Sequence, residues 1–439
     1  MTGIRAGAAR VDITPPQPTP LAGYPPITLL PGGPVDHYGY TGRIGVWEGI
    51  HDAVHARALA VDDGERAAVV VAMDVCAVER RFADRVREAA AQRFCVDRDA
   101  ILLAASHNHS GPEYSGMWEA VPPAVEDYVC DAVVRAIGEA LAARQQSRLG
   151  FGTGDLAGVT INRRDPARPV DTRVPVLRFD ALDGSLIAII YSFACHPIVA
   201  GPASRLVSAE YPGTASQVVE QATGGLALFL NGCAGNINPR AFPYAQRRNI
   251  VEVAREQRAA GLPEDCRTLG EASRFGLALG GTVLTVAAQT QVGDSDGDGD
   301  DVRFWRRDVE APVKQPADLE EFLTHVPHTR EAADRLRGRR SLITEVSALR
   351  LGPMTLLALP GEPFVEIGLE LERVARQRGT APGAVRTVGY VNDYPGYLLP
   401  PEQYAENRYE TVATALAAEG AEAIVDAAAE IYALADAAR

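Results

Sequence analysis

Five apolar runs in this 439-residue chain end abruptly, each in a short loop of polar side chains that a core would not accept. "AILLAAS" (100–106) runs into His107 and His109, and "SLIAIIYSFA" (185–194) into Cys195 and His196. "LALFL" (226–230) gives way to the segment 231–238, "MTLLALP" (354–360) to Glu362, and "AVRTVGYV" (384–391) to "NDYPGY" (392–397). Amphipathic or Ala-rich helical patterns lie between the runs, as at 81–94, 124–146, 211–223 and 267–289. Such strand–loop–helix alternation specifies an α/β fold, and we expect a mixed, largely parallel sheet flanked by helices. Near-continuous apolar strands fit a sheet covered on both faces. In open α/β sheets ligands collect at the carboxyl ends of strands, so these five loops are expected to share one crevice.

The Pro- and Gly-rich first fifty residues read as an extended loop wrapped around the core. The acidic stretch 293–301 is the candidate internal boundary in what we otherwise read as one domain over 1–439. Counted from Asp294 as a calcium loop, its twelfth position is Trp305 rather than Glu, so it reads as a solvated turn.

Composition removes several function classes. A net charge of −14 argues against nucleic acid or an anionic membrane surface as the main partner. Lys314 is the only lysine, which disfavours Schiff-base and phosphate-loop chemistry. The six cysteines show no C-x-x-C spacing and read as reduced and structural. The start lacks the apolar core of a signal peptide, and no run reaches the ~18 apolar residues of a membrane span. The expectation is a cytoplasmic protein without stable membrane association.

Two neutral imidazoles and a carboxylate, delivered by strand ends, make a zinc set with a fourth position for another ligand or water. His107, with Ser, Asn, Gly and Pro around it and a second histidine at i+2, is the strongest candidate among the eight histidines. His51 and His55 read as structural residues of a loop entering a strand, and His37, His325 and His328 as surface residues.

Read in order, the loops resemble a known family. "AASHNHSGP" (104–112) is similar to the A-S-H-T-H-S-G-P signature of the neutral/alkaline ceramidases, zinc amidases that cleave the N-acyl bond of ceramide. "INRR" (161–164), "SFACHP" (192–197), "NGCAGNINPR" (231–240), "LPGEPF" (359–364) and "NDYPGYLLPPEQYAENRYE" (392–410) resemble further family segments in the same order. The resemblance implies a ceramidase-like catalytic domain with zinc on His107, His196, Glu362 and a tyrosine, for which Tyr397 matches best and Tyr394 is the reserve. It also implies proton transfer or oxyanion donation by His109 and a carbonyl contact by Arg163.

The match breaks in one loop. Where the family has G-D-V-S-P-N, residues 235–240 here place Asn236 at the aspartate and Asn238 at the serine. An asparagine is no nucleophile, although its amide can donate to an oxyanion, so zinc-activated water is the expected nucleophile. The chain also stops after its Ala-rich helix, where the family continues into an immunoglobulin-like domain. A small, soluble N-acyl amide is therefore expected rather than ceramide, and self-association would cover surface that the further domain shields. An ester or lactone, or a non-catalytic binding role, are the alternatives. A phosphatase ranks below them because no second carboxylate-rich metal set is visible.

Overall fold

The computed structural model describes residues 3–24, 45–241, 248–262, 266–293, 302–325, 330–380 and 384–437. An eight-stranded sheet runs in the order Leu226–Asn231, Leu186–Phe193, Arg173–Ala181, Gln145–Asp155, Arg5–Asp12, His55–Asp62, Ala67–Met73, Ile101–Ala105. A second sheet orders Val302–Pro312, Ser341–Leu351, Met354–Ala358 and Val385–Val388.

Period-two alternation sorts each strand's side chains between two interiors. In His55–Asp62, Ala56, Ala58 and Ala60 enter a cluster with helices Arg80–Arg93 and Pro123–Ala142, whereas Leu59 and Val61 join a second cluster. That second cluster also holds Leu349, Leu351, Leu356 and Val388 from the smaller sheet, so the two sheets pack face to face. Helices Glu210–Thr223 and Leu269–Gln289 cover the rest of the large sheet. Helices Val365–Gln377 and Ala418–Ala437 cover the small one. The layers are helix, sheet, sheet, helix. No helix among the described residues is long and apolar enough to cross a membrane.

The α/β class and mixed sheet are as read from sequence, but the expected balance of strand directions is reversed. Five of the seven pairings in the large sheet are antiparallel and two are parallel. Part of the reason is a tight hairpin between His55–Asp62 and Ala67–Met73. Another part is the strand Arg5–Asp12, in a region read as loop, which inserts antiparallel between two others. Its sequence, "RAGAARVD", has almost none of the β-branched or aromatic residues that mark strands.

The parallel pairs are the ones that matter for function. Three parallel pairings join strands whose connection contains a helix: Ala67–Met73 with Ile101–Ala105, Leu186–Phe193 with Leu226–Asn231, and Met354–Ala358 with Val385–Val388. The loops beyond the carboxyl ends of these strands carry His107, His196, Glu362 and Tyr394, and Asn231 closes its own strand at the same end. The histidines His37 and His328, the side chain of His325, and most of the acidic stretch (294–301) lie outside the described residues.

Candidate metal centre

His107 leaves its strand in a left-handed conformation, with φ of 65°. A non-glycine residue there is strained and needs support from its surroundings. Support comes from both sides. The Ser106 N–H donates to the Met73 carbonyl and the Asn108 N–H to that of Val75. Across the loop, the Ala105 N–H donates to the carbonyl of Tyr390, itself left-handed at φ 62°, whose ring stacks on His107 with centroids 4.5 Å apart.

The imidazoles are fixed from behind by backbone. His107 Nδ1 donates to the Cys76 carbonyl at 2.8 Å, and His196 Nδ1 to the carbonyls of Ala234 and Ile237 at 2.7 and 3.1 Å. Both Nε2 atoms therefore face forward, and both meet Glu362 Oε2, at 3.2 Å from His107 and 3.0 Å from His196. The Tyr394 hydroxyl donates to the other carboxylate oxygen, Oε1. The ligand atoms of His107, His196 and Glu362 lie within 4.8 Å of one another, and all three residues are buried. Glu362 is held in place by its N–H, which donates to the Gly396 carbonyl, while Gly361 (φ 62°) passes so close to that oxygen that a Cβ would sit 2.2 Å from it. Only glycine fits.

Burial opposes charge on every member of this group, yet its members resist it unequally. Glu362 stays well below the usual carboxylate range because His107 and His196 outweigh desolvation. His107 lies above the usual imidazole range because Glu362 outweighs its burial. His196 is drawn down to about 4 by burial and by the nearby Arg163. Without a cation, the proton of the group resides on His107.

His109 stands beside this centre, its Nε2 3.2 Å from His107 Nε2. Its ring lies edge-on to Tyr24 at 4.9 Å, and Gly23 packs so closely that a Cβ there would meet the imidazole at 2.4 Å. A second grouping of potential donors, Cys76, His107 and His109, shares His107, whose Nδ1 is already committed to the Cys76 carbonyl.

The centre forms part of the wall of a cavity of about 370 Å³. His107, His109, Glu362, Tyr394 and Tyr397 line it, with Met117, Trp118, Phe322 and Leu336 supplying apolar surface. Tyr397 is the register partner of Glu362, and the Arg163 guanidinium lies 5.4 Å from its ring centroid. Arg163 and Asn238 line a different, smaller cavity of about 60 Å³, which shares Tyr409 with the larger one. There Arg163 Nε donates to Glu410 at 2.8 Å, and the Asn238 amide donates to Asn249 at 3.1 Å. Of the expected site residues, His107, His109, His196 and Glu362 thus come together, with both tyrosines alongside and Arg163 and Asn238 behind.

Two further points escaped the sequence. Asn236, read as a lost aspartate, accepts from the Val365 N–H at 3.0 Å and donates to Glu366 at 2.7 Å, pinning the helix Val365–Gln377 beside Glu362. An aspartate would set two carboxylates against each other there. Cys76 and Tyr390 support His107 through a carbonyl and a ring face, and only the quoted segment around Tyr390 carried any signal of this. Among the described residues His51 and His55 join no donor grouping; each lies 3.9 Å from an aspartate, Asp52 and Asp74 respectively. The six cysteines are free, and all but Cys95 are buried.

A helix–sheet–sheet–helix protein with two imidazoles and a carboxylate converging at strand ends belongs to the broad class of α/β proteins, here with a grouping of donors that could hold a metal ion. Comparison with known proteins narrows the class. The family model described as neutral/alkaline non-lysosomal ceramidase, N-terminal, matches residues 32–232. The chain is 24% identical over 380 residues to the neutral ceramidase of Mycobacterium tuberculosis, covering 70% of this chain and 59% of that protein. It is 24% identical over 385 residues to that of Pseudomonas aeruginosa, covering 72% and 56%. The crystal structure of the Pseudomonas aeruginosa neutral ceramidase superposes with a TM-score of 0.72 at 21% identity, covering 99% of this chain and 75% of that one. A structure described as ceramidase complexed with C2 gives the same score and identity, covering 99% and 76%. The resemblance to the neutral/alkaline ceramidases drawn from the motifs therefore holds, and the fold is theirs. The chain spans under three-fifths of the length of these two curated relatives.

Proposed function

We propose that the chain hydrolyses the C–N bond of a small N-acyl amide, with zinc held by His107, His196, Glu362 and a tyrosine of the 394–397 turn. The observation that carries this reading is the convergence of three lone-pair atoms, two Nε2 and a carboxylate oxygen, within 4.8 Å at a cavity wall. The donor set fits zinc in chemistry as well as number: nitrogen and oxygen ligands, with each histidine's other nitrogen bound to a backbone carbonyl. When bound, zinc supplies Lewis acidity and lowers the pKa of its water to about 7.

The remaining work falls to the chain. Backbone carbonyls lock the tautomers of His107 and His196, so neither ring must reorganise during turnover. His109, with Nε2 3.2 Å from that of His107, is suited to carry a proton to the departing amine. The Tyr394 hydroxyl orients Glu362 through its second oxygen. Arg163, tied to Glu410 and lying over Tyr397, acts on the centre by positioning that tyrosine and by adding to the burial that keeps His196 neutral. Asn238 supports the same wall. Met117, Trp118, Phe322 and Leu336 offer the acyl chain an apolar path, in keeping with relatives named for an N-acyl lipid.

The deciding experiment pairs metal analysis with hydrolysis of a panel of N-acyl amides, on the native chain and on His107→Ala. About one zinc per chain, lost together with turnover in the variant, is the expected result. Full turnover after complete metal removal would end the proposal.

A further inference from the structure

The cavity that holds the centre opens between the large sheet and a segment of the second one. Its outer wall is built from Phe322, Leu336, Leu342 and Ile343, and it ends at Arg335 and Arg339. Ile343 is 52% exposed, and Arg339 is exposed too, so the cavity reaches solvent on this side. The surrounding segment 330–340 carries five arginines against two acids, in a chain whose net charge is −14. A cationic side chain at this edge of the cavity attracts anions to it to the extent that no acid already neutralises it.

Most of these arginines are already engaged. Arg335 pairs with Glu79 at 3.2 Å, and Arg337 pairs with Glu320 and Asp334, both at 2.9 Å. The other cavity arginines, Arg80 and Arg81, are tied to Asp84 and Glu126 at 3.0 and 2.6 Å. Arg339 differs: among the described residues no carboxylate pairs with it, although it lines the cavity. A planar, permanently charged donor fork stands unmatched at the end of an apolar wall.

We infer that the acyl arm of the substrate ends in a carboxylate, which Arg339 meets at the cavity mouth. The inference rests on the amidase reading for the direction of the arm, with the scissile carbonyl at the His107–His196–Glu362 centre and the alkyl chain along Phe322, Leu336 and Ile343. It names a substrate class, an amide of a dicarboxylic acid, rather than the amide of a simple fatty acid. Arg339 is then a specificity-determining residue that binds without touching the reacting atoms.

The test uses matched N-acyl amides of four to twelve acyl carbons, each ending in either a carboxylate or an uncharged hydroxymethyl group. Calorimetry on the full, metal-free chain reads binding whether or not the amide is cleaved. The carboxylate partner should bind about two- to fivefold tighter at its best length, a ratio suited to one solvent-exposed ion pair. The preference should shrink toward one at 1 M salt, where screening acts over about 3 Å. Arg339→Gln should remove it, Arg339→Glu should invert it, and Arg337→Gln, which makes the same charge change outside the cavity lining, should retain it. Equal binding of both partners at every length, or equal loss in Arg337→Gln and Arg339→Gln, would overturn the inference. So would an arginine effect seen only with vesicles of anionic lipid. A zinc-loaded chain that cleaves no amide yet shows the charge preference would instead sink the amidase reading and leave Arg339 as an anion contact.

Discussion

Two of the buried charged clusters in this molecule are built on opposite plans. In the first, Glu345 accepts from Arg87 through both oxygens at 3.0 and 2.7 Å, from Arg306 at 2.8 Å and from Asn392 at 2.8 Å. Donors meet acceptors throughout, and Arg87 and Arg306 hold Glu345 well below the usual carboxylate range despite burial. In the second, two imidazoles and a carboxylate aim lone pairs at a common point, with a single proton on His107 easing the crowding. The first cluster satisfies its own charges and ties the helix Arg80–Arg93 to the smaller sheet. The second is complete only with something electropositive added. Burial of charge alone does not mark a functional site; the sign and direction of the atoms do.

Four experiments would sharpen or break that contrast. The largest effect is expected at the centre: His107→Ala should leave no bound zinc and cut turnover by on the order of 10³-fold or more, measured by metal analysis and steady-state kinetics. Next comes Arg87→Ala, which strands Glu345 in the interior and should cost about 3–5 kcal/mol in a denaturant titration. Glu362→Gln should cost the metal-free protein less, because a histidine can shed its proton and an arginine cannot. A larger loss from Glu362→Gln than from Arg87→Ala would erase the distinction drawn here.

Smaller effects separate the two tyrosines. The hydroxyl on Glu362 belongs to Tyr394, so Tyr394→Phe should weaken zinc binding by about 10–100-fold, in the range of lost supporting hydrogen bonds. An equal or greater loss in Tyr397→Phe would assign the ligand to the other phenol. The smallest expected signal is the proton itself. The pKa of His107 is raised, so at neutral pH metal must displace its proton, and affinity should fall as pH falls by up to about tenfold per unit. Titrating zinc into metal-free chain in buffers of different ionisation enthalpy should report about one proton released. None released would mean that His107 is neutral in the free protein.

The centre could be read from sequence because strand-end chemistry is local: an apolar run followed by His or Glu announces itself at each of His107, His196 and Glu362. Strand direction could not, since the hairpin at 62–67 and the insertion of Arg5–Asp12 are decisions of tertiary packing. The role of Asn236 was illegible for a related reason. Its side chain answers to Glu366, 130 positions away, and one residue type supports either a reactive or a structural reading until its partner is known. The Cys76 carbonyl that orients His107 was invisible because every residue has one. Tyr394 and Tyr397 sit three apart in one turn, and spacing cannot tell which hydroxyl reaches the carboxylate.

The left-handed backbone at His107 has a consequence for how this protein can change. A side chain with a Cβ is disfavoured at φ 65° by about 1–2 kcal/mol, a penalty that glycine escapes. Glycine at this position would relax the turn, but it would also delete the imidazole that stacks on Tyr390 and pairs with the buried Glu362. The backbone strain and the side-chain contacts of position 107 thus pull in opposite directions, and the turn holds only because its neighbours hold the ring.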